Sequence, residues 1–150
     1  MTGKIVVSRA VFERLMASLV ELEENEERLY QTYYPELSEK RRAVRAMLDG
    51  YRLKMSSFLQ TSVIVAEGCE SLDCLPFVVI GSRVTLRDDE TGDDYAYKIN
   101  HPWRCGASGE DVSYLSPLGG SLLLKGKGDK VDFDAPGGRF RYTIQGIELV

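Results

Sequence analysis

The sequence predicts an α+β protein: an N-terminal antiparallel helical hairpin of the coiled-coil type, followed by a small strand-rich domain. Three observations predict it. From Ser8 to Ser62 the chain holds one Pro (Pro35) and one Gly (Gly50), whereas twelve Gly and four Pro follow from Val63 onward. Apolar residues recur every three or four positions in the first stretch and alternate in short runs in the second. The charge changes with the pattern: residues 1–62 carry ten basic and nine acidic side chains, and residues 63–150 carry nine and fourteen. The expected divisions are a hairpin over residues 1–66, a linker over 67–76 and a second domain over 77–150.

The first helix is drawn by Phe12, Leu15, Leu19, Leu22, Glu26, Leu29 and Tyr33, the second by Leu37, Arg41, Val44, Leu48, Tyr51, Met55, Phe58 and Ser62. Each set is an a/d seam. Tyr34-Pro35 falls between them, and proline suits a helix's first turn, so the second helix is expected to restart there. Two helices joined by a tight turn lie antiparallel. A turn centred on Pro35 then faces Phe12 with Phe58, Leu15 with Met55, Leu19 with Tyr51 and Leu22 with Leu48. Glu26 and Arg41 interrupt the seams near the tip, where a diagonal ion pair or solvation would relieve the cost of burying charge. Helices of roughly 25 residues make a rod of under about 40 Å.

CESLDCLP at 69–76 reads as linker. Residues 77–80 form a short apolar run, Arg83–Arg87 alternates, and Asp88–Asp94 is an acidic hairpin loop. Tyr95–Asn100, Val112–Leu115, Val131–Phe133 and Phe140–Leu149 are the remaining strand candidates. Pro117–Lys125 reads as one short helix, weakened by Gly119-Gly120. Strands with a single helix make a small α+β domain.

The 150 residues are 43% hydrophobic and 28% charged, with a net charge of −4. That balance suits a soluble globular protein and argues against sequence-specific DNA binding, which needs a basic surface. No run approaches a membrane span and MTGKIVVSRA lacks the features of a secretory signal, so the cytoplasm is the expected compartment. Three cysteines, Cys69, Cys74 and Cys105, cannot all pair within one chain. With His101 they offer one conceivable Cys3His zinc set, against the simpler reading of three reduced thiols. No P-loop or G-x-S-x-G pattern is present.

Several ordered segments of the second half resemble one family. They are Val79-Ile80-Gly81-Ser82-Arg83-Val84-Thr85-Leu86, Asp88–Asp94, Val112-Ser113-Tyr114-Leu115-Ser116-Pro117-Leu118, Gly128-Asp129-Lys130-Val131, Ala135-Pro136-Gly137-Gly138 and Tyr142-Thr143-Ile144. Their order and spacing over 77–150 resemble the C-terminal domain of the bacterial transcript-cleavage factors GreA and GreB. The resemblance implies an FKBP-like fold that docks on RNA polymerase at the rim of the secondary channel. It implies that the coiled coil enters the pore, where two acidic tip residues help hold a Mg²⁺ ion of the polymerase. The polymerase itself cleaves backtracked RNA, so the factor is expected to be no enzyme and to carry no cofactor of its own. A contact with nascent RNA is left open.

The tip of this chain reads Glu36-Leu37-Ser38-Glu39-Lys40 and looks like the family's Asp-Leu-Ser-Glu-Asn. Glu36 and Glu39 take the places of the two acids, and carboxylates are hard ligands suited to Mg²⁺. The departures are Glu for Asp, Lys40 for Asn with Arg41 and Arg42 following, and a coiled coil shorter by about two heptads over both arms. Short-rod relatives include the nucleoside diphosphate kinase regulators called Rnk, which makes occupation of the channel without cleavage the alternative. Acids after Pro35 equally suit any helix N-terminus. Tyr33 and Tyr34 are read as closing the hairpin end.

For docking, Leu115, Ser116 and Pro117 fall on the family's polymerase-contact loop. Pro117 starts the short helix in either case, and Leu115 is either an apolar contact or a strand residue facing the core. Gly137-Gly138 is expected to make a tight turn with positive φ. Trp103, the only Trp, is either an exposed contact or a partly buried loop anchor. Two other classes compete. A peptidyl-prolyl isomerase would line an apolar pocket with Tyr95, Tyr97, Phe133, Phe140 and Tyr142, which alternate as core residues would, and fold alone does not carry that function. A self-associating module would pair its charged helix faces.

Overall fold

A computed structural model describes residues 5–65, 75–106 and 109–149. The chain divides into two compact units, Met1–Ser71 and Leu72–Val150. Most of the expected linker, with Cys69 and Cys74, lies outside the described residues. Its last part is not linker: Leu75 is 1% exposed and its N–H donates to Ile147 O at 2.9 Å in the second unit.

The first unit runs β1 (Ile5–Val7), α1 (Arg9–Tyr33), α2 (Glu39–Thr61) and β2 (Val63–Val65). Ser8 caps α1, its hydroxyl accepting the Val11 N–H at 3.1 Å. The two short strands were not expected. They pair in parallel, Ile5 with Val63 through Val7 with Val65, and bring the start of α1 beside the end of α2. The seams are buried at Leu15, Leu19, Leu22 and Leu29 of α1 and at Leu48, Tyr51, Met55 and Phe58 of α2.

Three expectations near the turn are corrected. The second helix does not restart at Pro35 but at Glu39, because Ser38 is its N-cap. Leu37 therefore lies outside the helix and is 82% exposed rather than a seam residue. Glu26 meets Arg52, 3.4 Å away, instead of Arg41.

The second unit is a five-stranded sheet ordered β5-β4-β3-β7-β6. Its strands are β3 (Ser82–Asp88), β4 (Asp94–Asn100), β5 (Asp111–Ser113), β6 (Lys130–Ala135) and β7 (Gly138–Leu149), with α3 (Pro117–Leu122) between β5 and β6. The acidic segment closes the antiparallel β3–β4 hairpin, where the Asp88 carboxylate accepts the Glu90 N–H at 2.8 Å. Gly138, at φ 127°, opens β7 as the residue paired with Ala135, a backbone setting that excludes most side chains. Val84, Leu86, Ile99, Ile144 and Ile147 form the sheet's buried side.

Three boundaries differ from expectation. Residues 77–80 are buried but make no strand, since Val78 bridges only to Leu124 and Lys125. The short helix stops at Leu122, because Leu124 turns to φ 71° and returns to that bridge. β5 stops at Ser113, whose hydroxyl accepts the Leu115 N–H at 3.0 Å and turns the chain out of the sheet.

Candidate functional site

The tip of the first unit is built by two caps. Tyr34 ends α1, its N–H donating to Tyr30 O at 2.9 Å. Burial raises the Tyr34 phenol above its ordinary pKa. Ser38 begins α2, its hydroxyl accepting the Arg41 N–H at 3.2 Å. Between the caps Glu36 stands on loop, and Glu39 is the first residue of the helix; both side chains are exposed. Glu39 sits where unpaired helix N–H groups favour a carboxylate.

Two of the cations at this end lie over the Tyr30 ring. The Arg41 guanidinium donates to Pro35 O at 3.4 Å and lies 5.3 Å from the Tyr30 ring centroid. Arg45 lies 5.7 Å from the same ring. Tyr30 is 1% exposed, and burial followed by the Glu26 charge pushes its phenol up to about 12. Closure of the turn therefore rests on Tyr30 and Tyr34, while Tyr33 is 43% exposed. Tyr30 lies one position off the heptad seam, so the seam count passes over it.

One turn back, Glu26 is a largely buried carboxylate whose side chain is 12% exposed. Burial raises its carboxyl pKa, and Arg52 offsets part of the effect. A folded pKa above the unfolded value means that folding favours the protonated form. Stability is then lost as pH rises through the ordinary carboxylate range and past the folded value. Glu26→Gln is expected to raise the melting temperature at pH 7, with the gain shrinking below about pH 4. Thermal melts at the two pH values check this, and an equal or larger gain in acid contradicts it.

In the second unit the three docking candidates sit on one turn. Ser116 donates its hydroxyl to Ser113 O at 2.7 Å and accepts the Gly119 N–H at 3.0 Å, capping α3. Pro117 follows as the first helical residue and is exposed, while Leu115 and Ser116 are half-buried. Leu115 has left the strand, so it is neither a strand residue nor a core one. Sequence reading found Ser116 and Pro117 through the resemblance to the family's contact loop, and Pro117 also suits a helix's first turn. It passed over Ser113, which ties the turn through its hydroxyl and its carbonyl.

Beside this turn lies an aromatic cluster. β4 and β5 run in parallel with Asn100 opposite Ser113, so His101 and Tyr114 leave the sheet side by side. His101 Nδ1 is 3.2 Å from the Tyr114 hydroxyl, and the His101 ring stacks on Trp103 with centroids 4.7 Å apart. His101 is 2% exposed and Trp103 38%. Trp103 is thus a loop anchor that keeps an exposed surface. The isomerase candidates are packed on one another, Phe133 against Phe140 at 5.4 Å and Tyr142 against Tyr95 at 6.0 Å. Among the described residues no group of three or more His, Cys, Asp or Glu is placed to hold a metal ion.

The family profile described as "Transcription elongation factor, GreA/GreB, C-term" matches residues 75–149. The chain belongs to the GreA/GreB family. Over 72 residues it is 37% identical to the transcription elongation factor GreA of Desulfovibrio desulfuricans, covering 48% of this chain and 44% of that protein. Over 91 residues it is 33% identical to GreA of Thermosipho melanesiensis, covering 61% and 58%. The matched segments thus span about half the length of these relatives. A prokaryotic transcription elongation factor GreA/GreB from Nitrosomonas europaea shares the fold, with TM-score 0.52, 23% identity and coverage of 96% of this chain and 98% of that one. Among the described residues no helix is long and apolar enough to cross a membrane.

Proposed function

We propose that this protein acts in the bacterial cytoplasm by binding RNA polymerase at the secondary channel and modulating elongation or transcript cleavage. In this reading the second unit is FKBP-like and docks through Leu115, Ser116 and Pro117. The first unit is an antiparallel coiled-coil hairpin whose tip enters the pore with Glu36 and Glu39. The chemistry remains the polymerase's, and the protein is no enzyme and holds no cofactor of its own. Mg²⁺ keeps several waters and takes only one or two carboxylates, so in this reading the two exposed glutamates assist an ion that the polymerase holds.

The observation that carries this reading is the construction of the tip. Two caps hold both acids outward, and the neighbouring Arg41 folds back onto Tyr30 and Pro35. Occupation of the channel without cleavage is a second reading, of the kind the Rnk relatives suggest. It is favoured by rod length, since α1 has 25 residues and α2 has 23, which gives about 35 Å of helix.

The test uses stalled, backtracked bacterial RNA polymerase carrying labelled RNA. The protein is added with Mg²⁺, and RNA length is read beside a binding signal. Shortened RNA supports the cleavage reading, and binding with unchanged RNA supports occupation. No binding at micromolar concentrations removes both.

A further inference from the structure

We propose that Trp103 is an anchor of the polymerase-docking surface, extending the contact made by Leu115, Ser116 and Pro117. This inference rests on the docking reading above and adds a residue to it.

The argument begins with the sheet. β5 lies at its edge and is parallel to β4, so the segments that follow the two strands emerge at the same end. One is the short 3-10 turn Pro102–Arg104, and the other is the turn of Leu115 to Pro117. His101 and Tyr114 fasten the two together. His101 holds Tyr114 at 3.2 Å, and Tyr114 directly precedes Leu115. His101 also lies flat under Trp103, with ring planes 7° apart.

The indole is therefore held on its inner side and still 38% exposed. A large ring fixed before binding loses little conformational freedom on contact, which is the condition under which tryptophan dominates interfaces. Pro117 is exposed on the neighbouring turn, and Leu115 is half-buried there. Both turns thus carry apolar residues at the same end of the sheet. The partner it fits is a polymerase face that places an apolar side chain against the indole.

Two measurements on the full chain test this. In the natural sequence, hydroxyl-radical oxidation of Trp103 is compared with and without saturating core polymerase. It is expected to fall by more than about threefold. Affinity is then measured for Trp103→Ala, Trp103→Phe and Pro117→Glu. Trp103→Ala is expected to weaken binding by about tenfold or more, and Trp103→Phe, which keeps a ring over His101, by less. Pro117→Glu suits a helix's first turn and tests the docking loop itself.

Unchanged oxidation of Trp103 in the complex overturns the proposal. So does binding by Trp103→Ala within about twofold of the natural protein while Pro117→Glu loses it; the docking reading then survives alone. If the natural chain does not bind polymerase, or Pro117→Glu binds normally, the docking reading falls and the proposal with it.

Discussion

Gly119→Ala is expected to destabilise the second unit by about 3 kcal/mol, the upper end of what overpacking costs. A Cβ built on Gly119 would sit 2.1 Å from Ser113 O and 2.8 Å from Ser113 C. Both are backbone atoms at the end of β5, so no side chain can swing aside. Either α3 moves away from the strand or the Ser113–Ser116 tie breaks. The same carbonyl accepts the Ser116 hydroxyl, so the turn of Leu115 to Pro117 moves with it. Gly50→Ala is the control, because Gly50 lies within α2 with nothing within 4 Å of its Cβ position. There the substitution is expected to stabilise by about 0.5–1 kcal/mol through helix propensity. Urea unfolding of the two variants checks the pair. A loss under about 1 kcal/mol for Gly119→Ala would mean that the close approach relaxes easily.

The contrast between these glycines shows what the sequence could and could not tell. Both lie in helices, and propensity treats them alike. Only the approach of β5, set by its pairing with β4, separates them. The same limit explains the other differences. Alternation in Arg83–Arg87 was legible because each residue reports its own face of the sheet. The heptads were legible for the same reason from Leu15 to Leu29 and from Leu48 to Phe58. They ran too far at Leu37, because a seam count does not see the Ser38 cap that begins the helix after it. β1 and β2 have three residues each and pair across the whole first unit, so no local pattern announced them.

The candidate site divides the same way. Glu36, Glu39, Ser116 and Pro117 stand in short segments that resemble the family's, and that resemblance named them. Tyr30, Ser113 and the His101–Tyr114 pair act across a turn or between strands. Their partners are brought in by the parallel β4–β5 register and by the packing of α1 with α2, which a linear reading does not contain.

Removing both tip acids, Glu36→Ala with Glu39→Ala, is expected to leave polymerase binding within about twofold and to lower any stimulated transcript shortening by about tenfold or more. The lower bound is the loss that follows when only an outer partner of a metal site is removed, and a direct ligand costs no less. Binding is spared because both side chains are exposed at the tip, while the docking candidates lie in the other unit. Folding is spared as well. Ser38 still caps α2, and the lost attraction of Glu39 to the helix N-terminus is worth about 0.3–1 kcal/mol. Glu36→Asp restores the residue type of the resembled motif and draws the carboxylate in by one methylene. If the rod stops short of the metal, the shorter acid lowers shortening further; if it reaches, shortening is kept. Should the natural protein bind without shortening RNA, the double variant is expected to hinder nucleotide addition as well as the natural protein does. Occupation of a pore depends on the volume of the helices and not on two carboxylates. A double variant that binds normally and still shortens RNA at the natural rate would remove Glu36 and Glu39 from the mechanism.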